Sequence, residues 1–401
     1  MQRFGYLFYA AAIAAAFSAF IYIEHFHLPH VKAVETVLAL GAYWGLLAAP
    51  RRTVVWAGFF IGLAWFYWIG FSFRYYGMPW AAPLLTLFFG LVYALYFGVL
   101  ALSNRPLVRA ALLFALSFVA PFHFNWMVPE LPLLHTCLGF EKAQFALILF
   151  ALALFATLKT PWRFAALLLL AGAYAPPYVP PPLPPLHIKL VQTQIPQALK
   201  WKASMRSRIV ADDFAAIERA VAAGADVVVL PESTFPLFLN KRPDLLMRLE
   251  HLSQHIAIVT GALYYEDGSN YNVTYFFHDG RSQIAKKMVL VPFGEYIPLP
   301  HWIGRWVNTL VFDGASDYLA AEHPTDFLID GITFRNAVCY EATSEPLFAG
   351  DPHYMVAISN NAWFTPSIEP TLQKLLMTYY ARKHRTVIFH SANMAGTGIV
   401  R

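Results

Sequence analysis

The stretch Pro-Pro-Tyr-Val-Pro-Pro-Pro-Leu-Pro-Pro, residues 176–185, divides a chain of 401 residues into two parts of different composition. A proline run of this kind favours an extended spacer without internal hydrogen bonds. The residues before it are strongly apolar, and those after it have the mixed composition of a globular domain. We therefore predict a transmembrane domain at residues 1–176, a linker at 177–186 and a second domain at 187–401.

The apolar part is long enough to cross a bilayer several times. Hydrophobic residues make up 58% of the chain and charged residues 13%, whereas about 25% of the residues in soluble domains are charged. A membrane-spanning helix needs about 20 consecutive apolar residues. The pattern predicts about seven spans, at residues 5–23, 34–49, 53–73, 81–102, 107–122, 143–158 and 162–176.

The charges between these spans predict their orientation. Seven basic residues lie on one side of the predicted membrane: Arg3, Arg51, Arg52, Arg105, Arg109, Lys159 and Arg163. The other side has Lys32, Arg74 and Lys142. The positive-inside rule places the first group in the cytoplasm. With an odd number of spans, the second domain is then expected on the outer face.

Several classes of partner are not expected. The net charge is +5, but no basic stripe with interleaved aromatic residues indicates nucleic acid. The two cysteines, Cys137 and Cys339, give neither a disulfide framework nor a paired-cysteine metal pattern. His25, His27 and His30 lie together in one predicted loop, but no matching ligands are nearby, so neither a metal site nor a cofactor is expected.

The second domain has the pattern of an α/β fold. Residues 204–223 have the apolar spacing of an amphipathic helix. Strands are predicted at 188–191, 227–230, 256–261, 271–277, 287–291, 333–338 and 355–358. Alternating strands and helices indicate a layered domain whose chemistry lies at the strand ends.

Polar residues follow three of these strands: Glu232, Cys339 and Asn360. A nucleophilic thiol needs a base or a positive field to become a thiolate. Glu232 is a candidate general base, and Lys287 with the Tyr340 N–H is a candidate oxyanion stabiliser. Each of these residues could instead have a purely structural role. Cys339 could be a small buried apolar residue, Glu232 a helix cap, and Lys287 an exposed charge.

Four motifs taken together resemble a known family: Pro231-Glu232-Ser233, Lys287 followed by Leu290-Val291-Pro292-Phe293-Gly294-Glu295-Tyr296, Cys339-Tyr340-Glu341, and Ser359-Asn360-Asn361-Ala362-Trp363-Phe364. The chain is similar to the apolipoprotein N-acyltransferases, the membrane-embedded branch of the nitrilase superfamily. Residues 191–201 and 58–65 resemble further parts of that family.

The resemblance implies a polytopic α-helical membrane domain plus an α/β nitrilase-like αββα sandwich. It implies a Glu232–Lys287–Cys339 triad, with Lys287 chosen over Lys286 because the family lysine stands three residues before the Leu-Val-Pro-Phe-Gly-Glu string. Supporting roles in the site fall on Glu295, Glu341 and Tyr340. Substrate-binding roles are expected of Trp201, Trp363, Phe293, Tyr296 and Asn360. Trp302, Ile303 and Trp306 are further candidates for a lid or for lipid contact.

The reaction that the resemblance implies has two steps. Cys339 takes an acyl chain from a phospholipid as a thioester, and the N-terminal amine of a diacylated apolipoprotein accepts it. The implied location is the bacterial inner membrane, in contact with membrane lipids, with the catalytic domain on the periplasmic side. The family usually carries more sequence after the fourth motif and a final transmembrane helix. We therefore expect the last sheet strands and that anchor to be missing or replaced here.

Two alternatives stay open at this point. A membrane-tethered nitrilase-type amide hydrolase would share the triad and use water as acceptor. A transporter or lipid-binding scaffold would need no triad, but the predicted spans lack the charge clusters that mark substrate pathways.

Overall fold

The computed structural model describes residues 4–296 and 318–401. Two compact units are present: Met1–Tyr178 with Pro366–Leu375, and Val179–Thr365 with Leu376–Arg401. Residues 366–375 therefore group with the first unit, although the sequence suggested that they belong with the second domain. Residues 175–184 form neither helix nor strand.

The first unit is helical. Its helices are α1 (Gly5–His25), α2 (Lys32–Ala48), α3 (Arg51–Phe66), α4 (Ala82–Gly98), α5 (Pro106–Leu116), α6 (Lys142–Thr157) and α7 (Trp162–Ala166). Short 3-10 segments continue three of them, so that helical structure runs to Arg74, Leu102 and Ala173. Helical segments thus occur at all seven positions where spans are predicted.

Only some of these helices are long enough to cross a bilayer unaided. In the described residues, three segments meet the requirement of length and apolarity: Gly5–His25, Arg51–Arg74 and Pro79–Leu102. The segments Pro106–Leu116, Lys142–Thr157 and Trp162–Ala173 are apolar but shorter. The number of spans therefore stays a prediction.

Small residues let α3 and α4 approach each other closely. A Cβ atom on Gly58 would lie 2.5 Å from the Tyr93 carbonyl oxygen, and one on Gly62 would lie 2.6 Å from that of Phe89. Glycines four residues apart allow such backbone contact between membrane helices. The glycines of the stretch 58–65 therefore have a packing role.

The second unit contains two sheets. Its strands are β1 (Ile188–Leu190), β2 (Val227–Val229), β3 (Phe235–Phe238), β4 (Ala257–Glu266), β5 (Ser269–His278), β6 (Arg281–Lys286), β7 (Asp326–Ile329), β8 (Ile332–Val338), β9 (Tyr354–Asn360), β10 (Val387–Asn393) and β11 (Gly398–Val400). The first sheet has the order β1-β2-β4-β5-β6, with β3 beside β4, and the second has the order β11-β10-β9-β8-β7. The neighbouring strands β1, β2 and β4 are parallel, as are β8, β9 and β10.

The two sheets share an apolar core. Val229 of β2, Val259 of β4, Val338 of β8 and Ile358 of β9 belong to one buried cluster. Helices of this unit are α8 (Gln197–Lys200), α9 (Ala203–Ala222) and α10 (Pro243–Leu252), and α11 (Glu369–His384) belongs to both units. A second cluster packs α9 and α10 against the first sheet.

The expected class, a helical membrane domain joined to an α/β domain, is confirmed. The helix predicted at 204–223 is confirmed as α9. The strand predicted at 287–291 is wrong, because β6 ends at Lys286 and residues 287–291 form a loop.

Candidate active site

The three residues of the predicted triad lie just after strands of the two sheets. Glu232 comes three residues after β2, Lys287 directly follows β6, and Cys339 directly follows β8. Glu232 is 8% exposed and Lys287 is 1% exposed. Cys339 is half-buried.

Lys287 lies within a group of negative charges. Its Nζ is 2.7 Å from Oε2 of Glu295 and 2.9 Å from Oε1. Burial acts to lower the pKa of Lys287, but interactions with Glu295, Glu232, Cys339 and Glu341 outweigh it. The pKa therefore lies above its usual value, and the buried ammonium keeps its charge. These interactions bring together all three predicted catalytic side chains and both predicted supporting glutamates.

Asn272 of β5 is a site residue that the sequence analysis missed. Its Nδ2 donates to Oε1 of Glu232 at 2.7 Å and to Oε1 of Glu295 at 3.4 Å. Its backbone carbonyl accepts from the Lys287 N–H at 3.2 Å. One residue therefore positions the candidate base, the lysine and the partner of the lysine. The sequence carried little signal for it, because Asn272 is one of two asparagines, with Asn270, in a strand rich in aromatic residues.

Glu341 joins the loop after Lys287 to the end of β8. Its Oε1 accepts from the backbone N–H groups of Met288 and Val289 at 2.6 and 2.9 Å, and its Oε2 accepts from the Val338 N–H at 2.7 Å. Burial raises the pKa of Glu341 to about 7, although Lys287 and these three donors oppose the change. Glu341 thus fixes Lys287 relative to Cys339, and this is a physical basis for its predicted supporting role.

The backbone at Cys339 is strained. Its φ of 56° lies in the left-handed region that residues other than glycine rarely adopt. Ser233, after Glu232, and Phe293, before Glu295, also have positive φ values of 49° and 61°. Strained residues of this kind cluster at functional sites. Tyr340 is buried in the short 3-10 helix that begins at Cys339, so its N–H adjoins the thiol in sequence.

Two features fix the backbone at Glu232. A Cβ atom on Gly261 would lie 2.7 Å from the Glu232 Cα and 2.5 Å from the Ser233 nitrogen, so only glycine fits there. The Nζ of Lys200, another residue that the sequence analysis missed, donates to the Glu232 carbonyl oxygen at 2.9 Å. Burial lowers the pKa of Lys200 to about 8, although Glu232 and Asp213 act to raise it.

The predicted substrate-binding residues occupy varied environments. Trp201 follows α8 and is 41% exposed, whereas Trp363, Phe293 and Tyr296 are partly buried. The Phe293 N–H donates to the Tyr296 carbonyl at 2.7 Å, which closes the loop that carries Glu295. The candidates Trp302, Ile303 and Trp306 lie outside the described residues. Contact of any of these residues with substrate stays a prediction.

Asn360 has structural partners. Its Nδ2 donates to Gln197 at 2.9 Å, and its Oδ1 accepts from Asn393 at 2.9 Å. Asn393 also bonds to the backbone of Ile195 through both of its amide atoms. This network ties the segment before Trp201 to the second sheet, and it gives Asn360 a positioning function.

The arrangement provides a carboxylate, a permanent buried ammonium and a thiol on rigid strand ends. These groups can accept a proton, stabilise an oxyanion and attack a carbonyl carbon. The chemistry that they favour is acyl transfer through a covalent intermediate.

Comparison with known proteins identifies relatives that extend over most of the chain. A family model for the apolipoprotein N-acyltransferase integral membrane domain matches residues 5–175. The apolipoprotein N-acyltransferase of Wolinella succinogenes is 47% identical over 392 residues, which covers 96% of this chain and 94% of that protein. Those of Helicobacter hepaticus and Campylobacter jejuni are 37% and 30% identical and cover 91% and 95% of this chain, and 93% and 86% of their own lengths.

Solved structures resemble part of the chain. A CN-hydrolase superfamily protein from Xanthomonas campestris is 17% identical, with a TM-score of 0.40, over 52% of this chain and 76% of that one. An amidase of the nitrilase superfamily from Nesterenkonia is 13% identical, with a TM-score of 0.39, over 54% of this chain and 80% of the amidase.

Proposed function

Because the chain belongs to the apolipoprotein N-acyltransferase family, we propose that it transfers an acyl chain from a membrane phospholipid to the N-terminal amine of a diacylglyceryl-cysteine lipoprotein. Its membrane domain matches the integral membrane domain of that family, and three helical segments among the described residues are long and apolar enough to cross a bilayer. The proposed location is the bacterial inner membrane, with the second unit on the periplasmic side, as the loop charges suggest.

In the first step, the Sγ of Cys339 attacks the ester carbonyl of a phospholipid such as phosphatidylethanolamine. Glu232 accepts the thiol proton and passes it to the departing oxygen of the lysophospholipid. The C–O ester bond breaks and a thioester to Cys339 forms. Covalent catalysis of this kind replaces one difficult transfer by two easier ones.

In the second step, the α-amine of the lipoprotein attacks the thioester. An amide bond forms, the C–S bond breaks, and Glu232 carries the proton of the amine to the thiolate of Cys339. Water in place of the amine would hydrolyse the intermediate, so the site must favour the amine as acceptor.

The observation that supports this mechanism most strongly is the environment of Lys287. A fully buried ammonium interacts with the charges of Glu232 and Cys339 and is held by Glu295. A positive charge already fixed beside the thiol can stabilise both the thiolate and the tetrahedral oxyanion. Loss of one oxyanion donor typically costs about 3–4 kcal/mol of transition-state stabilisation, and the Tyr340 N–H is the proposed second donor.

The proposal is tested by incubating the full-length protein in detergent with acyl-labelled phosphatidylethanolamine and analysing its cysteine peptides by mass spectrometry. An acyl adduct is expected on Cys339, and none on Cys137, the matched control within the same chain. Addition of a diacylated lipopeptide is expected to remove the adduct and to label the amine of the peptide.

Variants assign the roles of the individual residues. Cys339→Ser, Glu232→Gln and Lys287→Met are expected to lose adduct formation, whereas Lys286→Met, which changes the adjacent lysine, is expected to retain it. Transfer at the native rate by Cys339→Ser would refute the thioester. Release of the label as free fatty acid, with none on the lipopeptide, would show a hydrolase instead.

A further inference from the structure

A group of potential metal ligands lies in the first unit. Glu24, His30 and His135 each offer a ligand atom, and these atoms all lie within 4.8 Å of one another. Glu24 lies near the end of α1, His30 precedes α2, and His135 belongs to the connection between α5 and α6. The Nε2 of His30 is 2.8 Å from Oε2 of Glu24, and the rings of His30 and His135 are 4.5 Å apart.

A buried carboxylate faces the other nitrogen of His30. Oε1 of Glu35 lies 3.0 Å from Nδ1 of His30, and Glu35 is 3% exposed. Histidines that bind metals usually donate their second ring N–H to such a carboxylate, which fixes the tautomer and the orientation of the ring. The second oxygen of Glu35 is buried and has no hydrogen-bond partner, so the carboxylate has no other anchor in the described residues than His30.

With Glu35 ionised, this geometry favours a positive charge between Glu24 and His30. If Nδ1 of His30 donates its proton to Glu35, the lone pair of Nε2 faces a carboxylate oxygen of Glu24 at 2.8 Å. Two acceptors at that distance repel each other unless a cation lies between them. The cation is either a second proton on His30 or a metal ion, and His135 beside the pair offers a further nitrogen ligand that a proton would not need.

We propose that Glu24, His30 and His135 bind a divalent transition-metal ion of the Zn²⁺ type, with Glu35 positioning His30. Imidazole nitrogens and a carboxylate oxygen are common zinc ligands, and a site with three protein ligands leaves a fourth position to water. Ligand atoms around tetrahedral zinc are about 3.3 Å apart, so small side-chain rotations convert the observed spacing into a coordination shell. Two carboxylates and two neutral imidazoles match the charge of the ion.

One contact opposes metal binding. The Nζ of Lys374 lies 2.8 Å from Oε1 of Glu24, and a cation so near weakens the binding of a second one. The side chain of Lys374 is 49% exposed, which allows solvent to screen the repulsion. Lys374→Gln is therefore expected to tighten metal binding.

The bound ion would link three parts of the first unit that are distant in sequence. The sequence indicated no metal site because, of the three neighbouring histidines, only His30 belongs to the group. His25 instead contacts Thr371 at 3.0 Å, and the ligands that complete the group come from positions 24 and 135. An ion that binds only the folded chain stabilises it by mass action.

The test uses the full-length protein in detergent, stripped with a chelator and then titrated with Zn²⁺ or Co²⁺. We expect one Zn²⁺ per chain retained after gel filtration, a higher unfolding temperature, and the visible absorption of tetrahedral Co²⁺. His30→Ala and His135→Ala are expected to lose the ion, and Glu35→Gln to weaken binding by about 10- to 100-fold. His27→Asn, which removes a histidine of the same loop outside the group, is the matched control.

Native protein that retains no Zn²⁺ and gives no tetrahedral Co²⁺ spectrum would overturn the proposal and leave the protonated histidine as the explanation. Binding that is equally strong in His30→Ala, His135→Ala and the control would also overturn it. The Co²⁺ spectrum of the native chain decides the matter even if a variant fails to fold.

Discussion

The region around Lys287 and the region around Lys200 contain two lysines of the same unit that are equally buried, each 1% exposed. Burial acts to lower the pKa of both lysines. At Lys287 the neighbouring acidic groups reverse its effect and the pKa rises, whereas at Lys200 burial dominates and the pKa falls to about 8. The difference shows that partners decide the charge of a buried amine.

The partners differ in kind as well as in number. Lys287 has a carboxylate within 2.7 Å, whereas the hydrogen bond from Lys200 goes to a neutral carbonyl, that of Glu232. Lys287 therefore offers a constant positive charge to the site, and Lys200 holds the backbone of the candidate base. Four substitutions test this contrast.

The largest effect is expected for Glu295→Gln. Removing one partner of a buried ion pair typically costs about 3–5 kcal/mol because the other charge stays buried without compensation. The free energy of unfolding and the rate of adduct formation should both fall strongly. Glu266→Gln is the matched control, because Glu266 pairs with the adjacent and more exposed Lys286. Equal losses in the two variants would show that the ion pair of Lys287 matters no more for stability and labelling than that of Lys286.

A smaller effect is expected for Glu341→Gln. The amide leaves the buried N–H of Val338 or the pair at Met288 and Val289 without an acceptor, at a cost of about 1–3 kcal/mol. Adduct formation should slow because Lys287 and Cys339 lose their common anchor. Unfolding curves and single-turnover labelling measure the two effects, with the exposed Glu345→Gln as control. An unchanged labelling rate would show that Glu341 does not position Lys287 and Cys339 for the reaction.

A comparable or smaller loss is expected for Gly261→Ala. The added methyl group would meet the backbone of Glu232 and Ser233, and overpacking of this kind costs about 1–3 kcal/mol. The displacement should lower the labelling rate. The acyl donor concentration that gives half of the maximal rate should change less. Gly398→Ala, where a Cβ atom meets nothing within 4 Å, serves as control. A native rate in Gly261→Ala would show that the position of Glu232 is not critical.

The smallest effect concerns pH and Lys200→Met. The pKa of Lys200 falls from its usual 10.5 to about 8 on folding. Between these values the unfolded chain holds a proton that the folded chain lacks, so the free energy of unfolding rises with pH. The rise is at most about 1.4 kcal/mol per pH unit. Lys200→Met should lose this slope, and Lys202→Met, at an exposed position, should keep it. A native slope in Lys200→Met would assign the effect to other groups.

The elements with strong local patterns could be predicted from the sequence. The apolar spacing of residues 204–223 predicted α9 to within one residue at each end, and the β-branched run at 227–230 predicted β2. At 287–291 the same reasoning failed. The N–H groups of Met288 and Val289, which a strand would offer to a neighbouring strand, are taken by the side chain of Glu341. No local pattern reports an acceptor more than fifty residues away.

The acids, the thiol and the lysine of the candidate site could be predicted, but the positioning residues Asn272 and Lys200 could not. Glu232, Lys287 and Cys339 carry reactive groups at strand ends, and the family resemblance implied a role for each of them. Asn272 and Lys200 have no such signal, because their roles arise from contacts with residues 40 and 32 positions away. Aromatic residues such as Trp201 are ambiguous in sequence, since exposure to a substrate and burial in a core favour the same side chains.

The left-handed backbone at Cys339 has a practical consequence for anyone who wishes to trap a complex. Serine or alanine at this position would meet the same steric conflict as cysteine, so an inactive variant of that type keeps the turn and changes only the reacting atom. Glycine would relieve the conflict, which amounts to about 1–3 kcal/mol for such residues, and would release the turn as well. Serine and alanine are therefore the better choices for capturing a bound lipid in its native pose.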